Sequence, residues 1–146
     1  MKTIKNTHVG SYGLIIENEK IALIKKAIGG YKGKLDLPGG GIEHTELPHE
    51  TLKREIMEEA GLEVIEYKLL DVTSTNISWK MDEELIEDLH HIGIIYEVKG
   101  EGNIKKEPDG IDSNGCDWYE IAKLNKRILT PFAIFGLQVL GYKIDD

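Results

Sequence analysis

Cysteine is nearly absent from this chain, which has one such residue, Cys116, among 146. A single cysteine excludes an intramolecular disulfide and a metal site built from several cysteines. Long apolar runs are absent as well. The run at residues 14–16 is too short for the core of a signal peptide, and no segment approaches the roughly 20 apolar residues of a membrane span. We therefore expect a soluble, cytoplasmic protein with no membrane partner.

Positive charge is also scarce. The chain has 18 Lys and Arg residues against 26 Asp and Glu residues, a net charge of −8. Sequence-independent binding of DNA or RNA depends on clusters of Lys and Arg, so we expect no nucleic-acid polymer as partner. Internal repeats and low-complexity linkers are missing too. The length then predicts one domain over residues 1–146.

The order of apolar runs and turn residues predicts a chain in which strands surround one central helix and a second helix closes the sequence. In the first half we predict a β-hairpin (residues 12–16 and 21–24), a loop (27–34), a short strand (35–37) and a helix (48–60). In the second half we first predict strand-like residues 64–75 with a charged interruption, an acidic loop or short helix (81–88), a strand (92–98) and a polar loop (100–115). A strand at Trp118 and Tyr119 and a helical turn (120–124) follow. The final helix is predicted from Thr130 and Pro131 to about Leu140.

The most informative segment is residues 40–62, GGIEHTELPHETLKREIMEEAGL. It has the form G-x5-E-x7-R-E-U-x-E-E-x-G-U, where U is a bulky aliphatic residue. Pro48 suits the first position of a helix, and Gly61 suits the position just after its end. Leu52, Ile56 and Ala60 are spaced four apart, so they form one apolar stripe that packs against a sheet.

Three carboxylates of the same helix, Glu55, Glu58 and Glu59, are spaced at i, i+3 and i+4. They share one face, which points well away from the apolar stripe at about 100° per residue. Like charges at this spacing destabilise a helix, and a divalent cation such as Mg²⁺ would compensate them. The alternative is an ordinary solvated face of glutamates.

This pattern resembles the Nudix box without a departure. The resemblance implies an α/β (α+β) fold, the Nudix α/β/α sandwich with a mixed central sheet. It also implies Mg²⁺-dependent hydrolysis of a pyrophosphate bond in a nucleoside diphosphate linked to another moiety, with Mn²⁺ as an alternative metal. A nucleoside triphosphate and a nucleotide sugar both fit this description. Bound Mg²⁺ would also invert the local field that otherwise repels a phosphate substrate from an acidic protein.

The resemblance assigns roles to individual residues. Glu55 and Glu59 are the expected principal metal ligands, with Glu58 as a third ligand and the carbonyl of Gly40 as a further one. The general base is one of these glutamates or a carboxylate of a distant loop. The candidates in that loop are Glu101, Glu107, Asp109 and Asp112.

Glu46 and Arg54 complete the catalytic candidates. The resemblance implies that they pair and hold the loop against the helix, for which a planar guanidinium suits a carboxylate better than lysine does. Direct contact of Arg54 with a phosphate is the alternative. The glycine run at residues 39–41 allows a sharp turn and close approach of the backbone to a ligand.

The substrate is not fixed by the sequence. Trp79, Tyr31 and Tyr12 are candidates to stack a base, and Glu107 and Asp112 are weaker candidates for substrate contact. Packing of the aromatic residues in the core is the alternative. Outside the box, the chain lacks the residues that distinguish the subfamilies acting on ADP-ribose, dinucleoside polyphosphates, NADH and coenzyme A. Their absence weakens the assignment of any of these four substrates. The five histidines lack zinc-ligand spacing, and we predict surface or structural positions for them.

Two other functions remain open. Some relatives of this family sense nucleotide sugars without catalysis, although those usually have a damaged box and an added DNA-binding domain. An isomerase branch with the same fold needs a catalytic cysteine, and Cys116 lies outside the box. Relatives are often dimers, so a homodimer is a further expectation, together with a small nucleotide-type diphosphate as the binding partner.

Overall fold

The computed structural model describes all 146 residues. Seven strands and two α-helices follow one another along the chain: β1 (Lys2–Glu17), β2 (Lys20–Lys26), β3 (Leu35–Asp36), β4 (Gly39–Gly41), α1 (Pro48–Ala60), β5 (Glu63–Lys80), β6 (Leu85–Glu101), β7 (Ser113–Glu120) and α2 (Pro131–Val139). A single 3₁₀ turn, Ile121–Lys123, follows β7. No helix of this fold has the length and apolar character needed to cross a membrane.

The strands form one mixed sheet in the order β3-β2-β1-β6-β5, with β4 paired to β1 and β7 paired to β2. The pairing of β1 with β6 is parallel, from Lys2 opposite Leu85 to Ile15 opposite Val98, and the other pairings are antiparallel. A parallel pair needs a long connection, and here the chain from β2 through α1 to β5 supplies it. The predicted mixed sheet is therefore confirmed.

The two helices lie on opposite faces of this sheet because side chains alternate along each strand. Leu14 of β1 packs in the cluster that holds Phe132 and Leu137 of α2. Its neighbour Ile15 packs in the cluster that holds Leu52 of α1. The sandwich of helix, sheet and helix is the arrangement predicted from the sequence.

The first hairpin has the tight turn expected of its sequence. Ile16 pairs with Ile21 and Glu17 pairs with Lys20. The two residues between them, Asn18 and Glu19, both have positive φ, of 51° and 61°, which is the backbone of a type I′ turn. Beyond this hairpin end β1 and β2 no longer pair, and side chains from both strands line the cavity described below.

Both helices begin and end close to the predicted residues. Helix α1 covers Pro48–Ala60, and Gly61 after it is left-handed with φ 71°. Helix α2 starts at Pro131 behind Thr130, whose hydroxyl accepts from the N–H of Ala133 at 3.4 Å. These ends are set by local chemistry, since proline and a side-chain cap favour a helix start and glycine favours its end.

Several predicted segments were wrong in extent. The first strand was expected over residues 12–16 but begins at Lys2, and the strand expected at Trp118 and Tyr119 covers Ser113–Glu120. Residues 81–88 were expected as a loop or short helix, but β6 already begins at Leu85. The predicted loop over residues 100–115 starts after Glu101 and ends before Ser113. Strand β5 runs on to Lys80, and its charged interruption is a pair of bulges between Val64 and Glu66 and between Leu69 and Asp71. Residues 85–88 pair with β1, and residues 86–88 also pair with β5 on the other side. Such pairing overrides weak strand propensity.

Helix α1 should depend on its apolar stripe. We expect Leu52→Ala, at a side chain with 0% exposure, to lower the free energy of unfolding by about 2–5 kcal/mol because it leaves a cavity against the sheet. Met57→Ala on the same helix is the control, since Met57 is 49% exposed and should change stability by about 0.5 kcal/mol or less. Urea unfolding followed by circular dichroism measures both. Equal effects of the two substitutions would contradict this packing.

Candidate active site

The glycine strand β4 lies directly against the carboxylates of α1. A Cβ added at Gly40 would lie 2.5 Å from the carboxyl carbon of Glu55 and 2.6 Å from its Oε2. Real Cβ atoms do not approach this closely, so any other residue at position 40 would displace the Glu55 carboxylate from its present position. The backbone N–H of Gly39 donates to Glu59 Oε1 at 2.8 Å. Strand β4 and helix α1 therefore enclose two of the three box glutamates.

Glu59 is buried, with 5% of its surface exposed. Burial raises the pKa of this carboxyl to about 9, the bond from Gly39 opposes the rise, and the negative charge of Glu55 adds to it. Lys26 lowers the pKa and Asp112 raises it at longer range. Glu59 is thus not part of an ordinary solvated face of glutamates, because the glycine segment folds over it.

The other two box glutamates differ in exposure. The side chain of Glu55 is 17% exposed and that of Glu58 is 58% exposed. Burial raises the pKa of Glu55, and its bond with Arg54 opposes that rise. One face of α1 thus presents a buried, a half-buried and an exposed carboxylate within two turns.

Arg54 connects these groups. Its Nε donates to Glu46 Oε2 at 2.6 Å and its Nη2 donates to Glu46 Oε1 at 2.9 Å, which is a bidentate pair. Nη1 donates to Glu55 Oε1 at 2.7 Å, and Nη2 also donates to the carbonyl of Gly41 at 3.2 Å. Glu58 Oε2 lies 3.4 Å from Nη1. The guanidinium therefore holds the loop after β4 against the helix, as the resemblance implied.

Glu46 is held by a second donor as well. The hydroxyl of Thr51, a buried residue of α1, donates to Glu46 Oε1 at 2.6 Å. The bonds from Arg54 and Thr51 hold the pKa of Glu46 at about 2. The carboxylate thus stays charged over the whole physiological range and keeps the loop at residues 42–47 in place.

A cavity of about 680 Å³ opens beside these groups. It is lined by residues of β1, β2, β3, β4, α1, β5 and β6, by Leu37 after β3, and by the loops at residues 27–34 and 102–112. Seven carboxylates line it, and the only Lys or Arg among the lining residues is Lys26. The lining carboxylates are Asp36, Glu55, Glu58, Glu59, Glu87, Asp109 and Asp112.

Lys26, near the end of β2, lies beside the carboxylates of α1. Its ammonium forms an ion pair with Asp112, and the N–H of Ala27 donates to the carbonyl of Asp112 at 2.6 Å. The side chain of Lys26 is 18% exposed. The loop that carries Asp112 is thereby fixed to β2, and one ammonium group is held at the wall of the cavity.

Two histidines and a tyrosine form part of the cavity floor where β1 and β6 run parallel. His8 lies opposite His91 in register, and their ring centroids are 5.1 Å apart. The Tyr12 hydroxyl and His91 Nε2 are 2.6 Å apart and share a hydrogen bond. Burial lowers the pKa of His91 to about 4, with His8 as the next cause. A neutral imidazole is therefore present at physiological pH.

The far end of the cavity lies on β5 and β6 and is more apolar. A Cβ added at Gly30 would meet Ile77 Cδ1 at 2.8 Å and Trp79 Cγ at 3.3 Å, so the loop after β2 packs onto these two side chains. The Tyr31 hydroxyl lies 3.4 Å from Thr75 Oγ1. Three further apolar side chains line the cavity, namely Ile28, Leu89 and Ile111.

The structure brings most of the predicted site residues to one cavity. Glu55, Glu58, Glu59, Gly40, Trp79, Tyr31, Tyr12, Asp109 and Asp112 line it. Arg54 and Glu46 lie behind them, at the junction of loop and helix. Glu101 and Glu107 are exposed and do not line the cavity. Asp109 Oδ1 accepts from the N–H groups of Ile111, Asp112 and Ser113, so that oxygen organises its own loop.

Sequence reasoning missed Lys26, His8, His91, Asn6 and Glu87 as lining residues. The alternation of side chains along β6 is the one sequence pattern that could have indicated Glu87 and His91. Glu87, Leu89 and His91 alternate along β6 and therefore face one side of the sheet, but that signal needs the extent of β6 to be known. The predicted structural role fits His49, whose ring stacks on Tyr67 with centroids 5.6 Å apart.

Cys116 does not reach the cavity. It is 1% exposed and packs in the cluster beneath α1. Burial raises the pKa of its thiol to about 12. A buried, protonated thiol cannot serve as the catalytic cysteine of the isomerase branch.

No three side chains of the His, Cys, Asp or Glu type lie close enough together to hold a metal ion by themselves. The ligand set implied by the resemblance therefore remains a prediction. The carboxylates of Glu55 and Glu59 do both lie against the glycine segment, at Gly40 and Gly39 respectively.

Comparison with known proteins gives a family and several similar folds. The family model of the NUDIX domain matches residues 7–135. An ADP-ribose pyrophosphatase from Methanocaldococcus jannaschii is 34% identical over 112 residues, which are 77% of this chain and 63% of that protein. The chain thus spans less than two thirds of the length of this relative.

Solved structures agree in fold. A MutT NUDIX hydrolase from Burkholderia pseudomallei matches with a TM-score of 0.75 at 24% identity, over 92% of this chain and 98% of the other. A NUDIX hydrolase from Nitrosomonas europaea matches with a TM-score of 0.69 at 18% identity, over 92% and 88% of the two chains. At these identities the matches establish the arrangement of strands and helices.

The buried Glu59 should make the metal-free protein less stable as the pH rises. The unfolded chain releases this proton near pH 4.5, whereas the folded chain keeps it until about pH 9. Between these values the wild type should lose stability relative to Glu59→Gln, which mimics the protonated form, by at most about 1.4 kcal/mol per pH unit. Urea unfolding in EDTA from pH 5 to 8.5 measures this slope. Glu58→Gln, at a side chain that is 58% exposed, is the control, and parallel curves for wild type and Glu59→Gln would contradict the burial.

Proposed function

This chain belongs to the Nudix family, and from that premise we propose that it hydrolyses a pyrophosphate bond in a nucleoside diphosphate linked to another moiety. Mg²⁺ is the proposed cofactor, with Mn²⁺ as an alternative. The observation that carries the proposal is the pair of carboxylates, Glu55 and Glu59, that face the glycine segment at the wall of a 680 Å³ cavity.

The residues present fit a divalent cation. A side chain at position 40 would fill the space that the Glu55 carboxylate occupies. Glu59 is buried beside Glu55 with one hydrogen bond from Gly39 and no ion pair, a cost that a bound cation would offset. Glu55, Glu59 and the carbonyl of Gly40 would hold the ion, with Glu58 as an additional ligand. A bound Mg²⁺ supplies charge neutralisation at phosphoryl oxygens and lowers the pKa of water.

Arg54 acts as a scaffold in this proposal. Its Nε, Nη1 and Nη2 already donate to Glu46, Glu55 and the Gly41 carbonyl. A guanidinium engaged in this way positions the glycine segment and the helix carboxylates and does not need to contact phosphate. This favours the scaffold role over the alternative considered for Arg54.

Lys26 is the proposed phosphate contact. It is the only Lys or Arg among the lining residues, and its ammonium is paired with Asp112. An ammonium at the wall of an otherwise acidic cavity attracts the anionic part of the substrate and lowers the repulsion from the seven carboxylates. Asp112 holds the ammonium in place until the phosphate accepts from it.

A carboxylate takes the proton of the attacking water. Glu58 suits this role because its side chain is 58% exposed and lies on the same helix face as Glu55. Asp112 is the alternative from the distant loop, although its pairing with Lys26 competes with that role. The proposed substrate is small and nucleotide-like, in agreement with a cavity of this volume.

Hydrolysis is tested directly by a substrate panel. The wild type is incubated with Mg²⁺ and nucleoside triphosphates, oxidised triphosphates, ADP-ribose, dinucleoside polyphosphates and nucleotide sugars, and released phosphate or pyrophosphate is measured. We expect turnover of at least one of them, and a loss in Glu59→Gln of more than roughly a hundredfold, above the effect of residues that only support metal ligands.

Glu66→Gln, at an exposed position of β5, is the matched control and should retain wild-type turnover. A folded Glu59→Gln variant with near wild-type turnover would contradict the metal assignment. Binding of nucleotides without any turnover would favour the sensor function over hydrolysis.

Lys26→Gln should raise KM by roughly tenfold because a charge-assisted bond to phosphate is lost. The matched control is Lys25→Gln, since Lys25 is the exposed neighbour on the same strand. Asp112→Asn separates binding from loop structure, because it frees the ammonium and should leave KM unchanged or lower. An equal rise of KM in Asp112→Asn and Lys26→Gln would show that the pair only stabilises the loop.

A further inference from the structure

We propose that the far end of the cavity binds a nucleobase with two adjacent N–H donors, of the guanine type, and that Glu87 is the specificity-determining acceptor. This inference rests on the proposed function and specifies the nucleotide that the site selects. Three features carry it: the distance of Glu87 from the glycine segment, its hydrogen bonds, and the apolar walls around it.

The strand register sets the position of Glu87. A Cβ added at Gly41 would lie 2.6 Å from His8 Cε1, so the glycine segment lies against His8. His8 is opposite His91 on β6, and Glu87 lies four residues before His91 on the same face. Four residues of strand span roughly 13 Å. Glu87 is therefore remote from the proposed pyrophosphate position, where the far end of a bound nucleotide would lie.

Two fixed donors hold the Glu87 carboxylate. The indole Nε1 of Trp79 on β5 donates to Glu87 Oε1 at 2.7 Å, and the amide of Asn6 on β1 donates to Glu87 Oε2 at 2.6 Å. All three side chains line the cavity. An ionised carboxylate has about four acceptor positions and no donor. Each oxygen of Glu87 thus has acceptor capacity left for a ligand, and its orientation is set by two neighbouring strands.

The surroundings favour a flat aromatic ring over a sugar. Trp79 lies opposite Glu87 and Ile77 lies opposite Leu89 on the next pair of the same face, and all four residues line the cavity. Gly30 packs onto Ile77 and Trp79 from the loop after β2. A purine ring buries its faces on such side chains and keeps its hydrogen-bonding groups at its edge. A sugar would bring hydroxyls against the aliphatic side chains without partners, which costs free energy.

The acceptor character of Glu87 selects among the bases. Guanine has N1–H and the N2 amino group side by side, so both oxygens of one carboxylate can accept from it. Hypoxanthine keeps N1–H and lacks the amino group. Adenine has an acceptor at N1 next to its N6 amino group, and that acceptor would face a carboxylate oxygen unfavourably. The expected order of affinity is guanine, then hypoxanthine, then adenine.

The experiment measures binding without hydrolysis. The α,β-methylene diphosphates of guanosine, inosine and adenosine cannot be cleaved at the bridging position, and isothermal titration calorimetry in the presence of Mg²⁺ gives their Kd values. We expect the guanosine analogue to bind the wild type at least about tenfold more tightly than the adenosine analogue, since a bidentate pair discriminates bases at this level, with the inosine analogue between them.

Glu87→Gln should remove this preference and strengthen binding of the adenosine analogue, because a glutamine amide both donates and accepts and matches adenine. Asp88→Asn is the matched control. Asp88 is the next residue on β6, accepts from Asn76 and Ser78, and does not line the cavity, so the guanosine preference should persist. Circular dichroism melting checks that each variant is folded, and the wild-type preference is a test that needs no variant.

The proposal is overturned by equal Kd values for the three analogues, by no binding of any of them, or by a guanosine preference that survives in folded Glu87→Gln. ADP-ribose binding that depends on Glu87, without a guanosine preference, would assign the carboxylate to sugar hydroxyls and also overturn it. Turnover in the substrate panel without preference for guanine would reject the guanine inference and leave the proposed hydrolysis standing. Guanosine-selective binding without turnover would reject the proposed hydrolysis and leave the guanine inference standing.

Discussion

The site depends on the hydrogen bonds that the Arg54 guanidinium donates. It forms a bidentate pair with Glu46, donates to Glu55 and donates to the carbonyl of Gly41. The loop that carries Glu46, the glycine strand and helix α1 are therefore fixed to one another by a single planar group. Lysine has no such fork. The same guanidinium also offsets part of the repulsion among the glutamates of the helix, which would otherwise splay them apart.

The position of the glycine strand explains why the helix tolerates a buried carboxylate. Gly40 leaves space for Glu55, and Gly39 donates its N–H to Glu59. Burial without an ion pair destabilises the charged form of Glu59, and this is the physical reason for its high pKa. A buried carboxyl with a strongly shifted pKa lowers the stability of the protein, and such groups are common at functional sites.

The long parallel pairing of β1 with β6 produces the second half of the site. It continues for 14 residue pairs, from Lys2 opposite Leu85 to Ile15 opposite Val98. Helix α2 packs near the Tyr12 end of this pairing through Phe132, whereas side chains from Asn6 to His8 face the cavity. One sheet face therefore packs in the core at one end and lines the cavity at the other.

The sequence by itself determined the elements whose chemistry is local. The ends of α1 follow from Pro48 and Gly61, the start of α2 follows from Thr130 and Pro131, and the family follows from the spacing within residues 40–62. These features depend on residues a few positions apart, which a sequence displays directly.

Other features were decided only by the tertiary structure. Glu59 is buried, and residues 85–88 form part of a strand. Lys26 forms an ion pair with Asp112, and Trp79 donates a hydrogen bond to Glu87. The strand pairing of β6 with β1 and β5 sets residues 85–88 and the contact of Trp79 with Glu87. The packing of loops against α1 and β2 buries Glu59 and brings Asp112 to Lys26. The partners in these contacts lie far apart in the chain or face a side of the sheet that periodicity cannot identify, so no local pattern records them.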